Sequence, residues 1–307
     1  MLTNILQKIN QQLQGESLSI AYSHIVAPKT PLYYYESIPP KAFQTQIQFF
    51  KKHYNIIGLH EALTKVHHNE SLKNHLVLTF DDGYKSCYDY IAPILVEENA
   101  TATFFLNTAT LDNQHLMWRN QLLYIKNTVP TKRLKQAFKQ FNHKLQTNLT
   151  TSNFLKKSQQ WAYANQENWT QTLWQFCNLP SLSEFLNTYQ PYLTTPQVNE
   201  LLNAHFSIGG HTHSHPNCSL LNSVELEKEI LDTNRILAEK FEVNILAFAY
   251  PFGYRNTQQS FSLCELGVME SFKNYNNPKT WERFKLEKNL NRTLLNRGGI
   301  GLYNNKT

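Results

Sequence analysis

The run Leu76–Gly83, LVLTFDDG, drives an apolar segment straight into two adjacent carboxylates, Asp81 and Asp82. An apolar run ending in Asp-Asp-Gly reads as a buried parallel strand whose C-terminal tip delivers charge, the position where α/β barrels and open sheets keep their chemistry. Gly83 lets the chain turn at once, so a capped strand end followed by an ordinary turn is the plainer reading of the same residues. A second cluster, His211-Thr212-His213-Ser214-His215-Pro216, follows another short apolar run, Phe206–Ile208, with Gly209 and Gly210 between. Imidazole and carboxylate together suit zinc and similar divalent ions, and a catalytic site uses three protein ligands and keeps one position open. Asp82 with two of these histidines fills that pattern, against the alternative of a solvated histidine-rich turn.

Three spaced motifs, TFDDGY (Thr79–Tyr84), HTHSHP (His211–Pro216) and AYPFG (Ala249–Gly253), stand in the order found in the polysaccharide deacetylase family, carbohydrate esterase family 4. The chain resembles a member of it. The similarity extends to Leu18–Pro28, to ATFFLNTATLD after the first motif and to TTPQVNELL before the histidines, and so covers most of the sequence. The resemblance implies an α/β fold, a distorted and incomplete (β/α) barrel with the site at the C-terminal strand ends. It implies Asp81 as general base and Asp82, His211 and His215 as ligands of a divalent metal ion, zinc first, with cobalt, nickel or iron accommodated by the same donors. His213 falls between the two matching histidines as a supporting or exposed residue. Pro251 and Phe252 match a loop whose backbone lines the acetyl pocket, where an amide N–H helps hold a developing oxyanion. Tyr84, closing the first motif, joins Arg119, Pro251 and Phe252 as the expected substrate-binding residues.

The departures from the family pattern carry their own expectations. Many members have a late Leu-x-His motif whose histidine serves as general acid, and no histidine follows His215 here. His24, in Ser23-His24 near the end of the first strand-like run, is the candidate acid, or else packs the barrel mouth. An Arg-Pro-Pro-Tyr type of stretch that orients the base in relatives is also missing. Trp118-Arg119 stands in a comparable place, with Arg119 either supplying that cation or lying at the surface.

A βα rhythm runs through the chain. Strand-like runs fall at Leu18–Tyr22, Leu76–Phe80, Ala102–Leu106, Phe206–Ile208 and Ile245–Tyr250, and helix-like ones at Lys41–His53, Ser86–Glu97 and Val224–Phe241. Alternation of this kind indicates a parallel α/β architecture. In the last helix Ser223 is the expected N-cap, with Glu225, Glu227 and Glu229 at the positive end of the helix dipole. Residues 1–307 are read as one domain carrying a helical insertion over 119–191, where the rhythm breaks. Over Arg119–Thr172 there are nine Lys and Arg against a single acidic residue, Glu167. A basic helical face there attracts an anionic substrate or surface, or is simply solvated.

Charge and cysteines bound the compartment and partners. No zinc-knuckle, helix-turn-helix or RNA-recognition pattern accompanies the net charge of +6, so nucleic acid is not an expected partner. Cys87, Cys177, Cys218 and Cys264 form no C-x-x-C pair and read as buried thiols of a reducing compartment. The first residues lack the apolar core of a secretory signal, and cytoplasm is the default expectation. Leu2, Ile5, Ile9 and Leu13 have helical spacing, for a helix that packs on the body or rests weakly on a bilayer. The end, NRGGIGLYNNKT, reads as a tail.

The functional expectation is a metal-dependent hydrolase removing an N-acetyl group from an amino sugar in a saccharide, or in a nucleotide-linked or lipid-linked glycan intermediate. A lipid-linked substrate brings peripheral membrane contact with it. The alternatives are a carbohydrate-binding protein that keeps the fold without catalysis, and a deformylase or O-acetyl esterase using the same site.

Overall fold

The computed structural model describes residues 18–255, 261, 263–266, 280–281, 283–288, 290 and 293. The helix expected from Leu2, Ile5, Ile9 and Leu13, the tail and the side chain of Cys264 lie outside the described residues.

Among the described residues nine strands form one sheet, and each described pairing within it is parallel. In chain order they are β1 (Ser19–Ser23), β2 (Asn55–Ile56), β3 (His75–Phe80), β4 (Thr103–Leu106), β5 (Ser207–Gly210), β6 (Ala247–Ala249), β7 (Cys264–Leu266), β8 (Thr280–Trp281) and β9 (Phe284–Lys285). The spatial order β8-β7-β6-β5-β4-β3-β1-β9, with β2 on the start of β3, makes the curled, incomplete (β/α) barrel. Parallel neighbours need crossover connections, and among the described residues helices supply those from β1 through β6. The chain runs α1 (Pro40–His53), α2 (Leu59–His67), a π turn (Cys87–Ile91) leading into α3 (Ala92–Glu97), then α4 (Trp118–Thr128), α5 (Thr131–Leu145), α6 (Phe154–Lys157), α7 (Tyr163–Phe176), α8 (Leu182–Tyr189) and α9 (Thr195–Asn203). After β5 come α10 (Ser223–Glu227), a second π turn (Lys228–Asp232) and α11 (Thr233–Phe241).

Alternation along β3 explains how the strand serves two layers. Leu76, Leu78 and Phe80 join Phe43, Phe50, Ile91, Leu95 and Leu237 in the core beneath the outer helices, while Val77 packs on the other face with Ile20, Phe105, Ala249 and Leu266. Thr79 shares that second face by parity, and so does Asp81 beyond the strand end, which is how a buried apolar strand delivers a carboxylate to the barrel interior. A further core, including Trp118, Phe138, Phe141, Trp161, Trp174 and Tyr192, lies within the helices between β4 and β5.

Glycine in β5 reflects close approach. A Cβ at Gly209 meets the Phe105 ring and, at 2.9 Å, the Ala247 carbonyl oxygen, whose backbone cannot yield without breaking the β5–β6 neighbourhood. Gly209→Ala is expected to lower stability by about 1–3 kcal/mol through overpacking, read from chemical denaturation; an unchanged midpoint contradicts the packing described.

One local expectation is corrected. The N-cap after the histidine loop is Asn222, not Ser223: its side chain accepts from Glu225 N at 3.0 Å and the Glu225 carboxylate accepts from Asn222 N at 3.0 Å. This capping box needs an acid three residues on, and Ser223 has Leu226 there. The helix-like stretches Ser86–Glu97 and Val224–Phe241 are helical, and each contains a π turn. Cys87, Cys177 and Cys218 are buried free thiols, each pushed up in pKa by burial. Among the described residues no helix is long and apolar enough to cross a membrane.

Candidate metal centre and active site

Three strand ends converge. β3 ends at Phe80, and Asp82 then takes a left-handed conformation, φ 72°, ahead of Gly83 at φ 61°. β5 ends at Gly210, and the loop after it holds Thr212 and His215 at φ 68° and 61°. β6 leads into the Pro251–Gly253 turn, where Phe252 stands at φ 58°. Left-handed backbone at four residues that are not glycine costs energy at each and persists only where the surroundings impose it, a pattern that clusters at functional sites.

Asp82, His211 and His215 are all buried, and one potential ligand atom from each lies within 4.8 Å of the others. The Nε2 atoms of both histidines stand 3.2 Å from Asp82 Oδ1, yet that oxygen receives a hydrogen bond from neither. His211 Nδ1 lies 2.8 Å from the Ala249 carbonyl oxygen, which can only accept, so Nδ1 carries the proton and Nε2 presents a lone pair. A buried carboxylate oxygen left unpaired between two imidazole nitrogens is the donor set that a divalent cation completes.

Asp81 has a different partner. Arg283, just before β9, donates from Nη1 to Asp81 Oδ1 at 2.7 Å and from Nη2 to Oδ2 at 2.8 Å, a bidentate fork. Nη1 also reaches Thr79 Oγ1 at 3.2 Å, and the guanidinium lies over the Tyr22 ring at 4.8 Å. Burial pushes Asp81 up, while the Arg283 guanidinium, by its charge and its hydrogen bonds, more than reverses that and keeps it below the usual range. It is therefore a carboxylate at neutral pH. The cation expected from Arg119 comes instead from Arg283, because β9 pairs with β1 beside β3 and brings its flanking residue across the same strand ends. Arg119 donates to the Leu155 carbonyl at 2.8 Å.

The remaining residues singled out from the sequence divide. His24 Nε2 is 4.0 Å from Asp82 Oδ2. Burial lowers its pKa below the ordinary histidine value, and Asp82 and Asp81 only partly offset this, so the imidazole is neutral at pH 7. Phe252 meets His215 edge to face at 4.8 Å, with Pro251 buried beside it. Tyr84 is 1% exposed and stacks on Tyr192 at 5.6 Å, its hydroxyl accepting from Asn120 at 2.7 Å. It fastens the helices to the Asp-Asp-Gly loop instead of facing solvent. His213 is exposed and bonded to Thr108 Oγ1 through Nδ1 at 2.8 Å.

Several residues that shape the site escaped the sequence reading. Asn107 donates to the His211 carbonyl and, at 3.2 Å, to that of Thr212; it is the polar residue at the tip of the apolar strand TFFL, the same signal that marked Asp81. Trp118 Nε1 donates to the His215 carbonyl at 2.9 Å. Glu229, expected to serve the helix dipole, is wholly buried against the histidine loop. Arg283 carries no signal in sequence, since it sits between strands of two residues far from every motif.

Replacing Arg283 by Gln removes the charge that lowers Asp81, so the carboxyl pKa rises. The acid limb of any activity that needs ionised Asp81 then moves to higher pH, and such turnover falls roughly 100-fold because the carboxylate loses its fixed geometry. A pH–rate profile with an unmoved acid limb contradicts this role.

The family model described as polysaccharide deacetylase matches residues 68–270. Among solved structures, the chain is similar to the Streptococcus pyogenes deacetylase PplD in complex with acetate, at 17% identity and a TM-score of 0.56, with 91% of this chain and 97% of that one covered. It is also similar to IcaB from Ammonifex degensii, at 13% identity and TM-score 0.55 over 94% and 98% of the two chains. A de-N-acetylase from Aggregatibacter actinomycetemcomitans aligns at 14% identity and TM-score 0.52, over 91% and 99%. These likenesses concern the fold. No curated protein matches the sequence.

Proposed function

The chain belongs to the polysaccharide deacetylase family, and from that premise we propose that it hydrolyses the N-acetyl group of an amino sugar within a saccharide, using a divalent cation held by Asp82, His211 and His215. The observation that carries this reading is the division of labour between adjacent carboxylates: Asp82 faces two imidazoles, while Asp81 is gripped by Arg283. A divalent cation at this donor set supplies Lewis acidity to the carbonyl and acidifies water, zinc being the first choice and cobalt, nickel or iron alternatives.

Asp81 accepts the proton of the attacking water. Its low pKa keeps it ionised, and the fork from Arg283 fixes its oxygens without placing a proton on them. Asp82 gives its charge to the cation and is unavailable as base. His24 is assigned to the leaving amine. It is neutral at rest, so the proton it hands on must arrive during the reaction, and Asp81, whose charge it feels, has just received one. The turn at Pro251 and Phe252, set against His215, is assigned to the acetyl group.

The acyl preference is tested with matched N-acetyl, N-formyl and O-acetyl amino-sugar oligomers and zinc-loaded protein. The proposal expects the highest kcat/KM for the N-acetyl compound, with one free amine per acetate. Preference for N-formyl or O-acetyl groups assigns the site to deformylation or ester hydrolysis, and saccharide binding without acyl release assigns it to binding alone.

A further inference from the structure

We infer that Glu229, tied to the helices between β4 and β5 through Tyr163, is a positioning residue that sets the metal-binding geometry of His215. The inference rests on the ligand assignment proposed above.

The two histidines are held by different means. The His211 ring is fixed directly by its Nδ1 bond to the Ala249 carbonyl, whereas His215 Nδ1 is buried with no hydrogen-bond partner. His215 is held by its backbone: its N–H donates to Thr212 Oγ1 at 3.0 Å, and its carbonyl accepts from Trp118 Nε1 at 2.9 Å. Its orientation follows the loop from 211 to 215, and that loop bends around one carboxylate. Glu229 Oε2 accepts from His213 N at 2.7 Å and from Ser214 N at 2.9 Å; Oε1 accepts from Ser214 Oγ at 2.6 Å and Tyr163 Oη at 2.6 Å. His213 N also donates to the Glu229 carbonyl at 3.1 Å.

Glu229 is fully buried, and no described ion pair neutralises it. Four donors hold its charge instead, and two are backbone groups lying between the proposed ligands. The π turn Lys228–Asp232 places it there: one extra residue in the turn changes which side chains face the sheet, an adjustment that recurs at functional sites. Tyr163 opens α7, so the fourth donor comes from the helices inserted between β4 and β5. Those helices reach the loop twice more, through Trp118 on His215 and through the Gln159 carbonyl, which accepts from Asn217 at 3.2 Å. The insertion thereby braces the ligand loop from behind.

The test uses the full chain and zinc affinity measured by competition with a chromophoric chelator, alongside melting of the metal-free protein. Glu229→Gln turns one acceptor oxygen into a donor facing donors and is expected to weaken zinc binding 10- to 100-fold, the range seen when supports of metal ligands are removed. Tyr163→Phe keeps the ring, removes one donor and should weaken binding several-fold, remaining informative if the Glu229 variant fails to fold. Zinc affinities within twofold of the parent in folded variants overturn the inference, and so does a lower metal-free melting temperature with affinity unchanged, which marks a role in folding only. If the parent itself binds no zinc, it is the ligand assignment that fails.

Discussion

Asp81→Asn should leave the divalent cation bound and reduce turnover by about 10³-fold or more, the scale on which a positioned general base contributes. The amide keeps the size of the carboxylate and one acceptor oxygen, so Arg283 can retain half of its fork. What is lost is the negative charge that accepts a proton. Asp81 is not among the clustered ligand atoms, which belong to Asp82, His211 and His215, so metal content measured by atomic absorption should match the parent. Equal loss of metal and activity would place Asp81 among the ligands and end the proposed division of roles.

His211→Ala should act in the opposite order. Removing one of the three proposed ligands, and the one whose tautomer is fixed by the Ala249 carbonyl, leaves Asp82 and His215 too few donors for a tight site. Zinc affinity is expected to fall by at least about 100-fold, with activity following it and returning in part at millimolar zinc. Affinity like that of the parent would mean that the cation, if bound, lies elsewhere. The substitution also removes a buried ring, and some loss of stability should accompany it.

How far the sequence could be read follows from where the constraints lie. Strands that end in chemistry were legible because a buried parallel strand is uniformly apolar and its first polar residues mark the tip: this found Asp81, Asp82 and the loop after β5. Helix–strand alternation identified the α/β class for the same reason. The short strands β2 and β7 to β9 were not legible, since two or three residues carry no period and owe their conformation to the neighbours they pair with. Arg283 was hidden with them, reaching Asp81 only because β9 closes against β1. Glu229 was visible as a helical carboxylate but misassigned, because a π turn shifts the helical phase and no sequence rule announces one. Tyr84 illustrates the converse: its place in a motif suggested contact with substrate, whereas its stacking on Tyr192 makes it a fastening between the loop and the segment between β4 and β5.

The most direct measurement is acetate release from an N-acetylated amino-sugar oligomer by metal-depleted protein, as zinc is titrated from zero to one equivalent. The account predicts no release without metal and a linear rise that breaks at one zinc per chain, with the amine freed in step with the acetate. Undiminished release from protein stripped of metal, or none after one equivalent is bound at Asp82, His211 and His215, would contradict it.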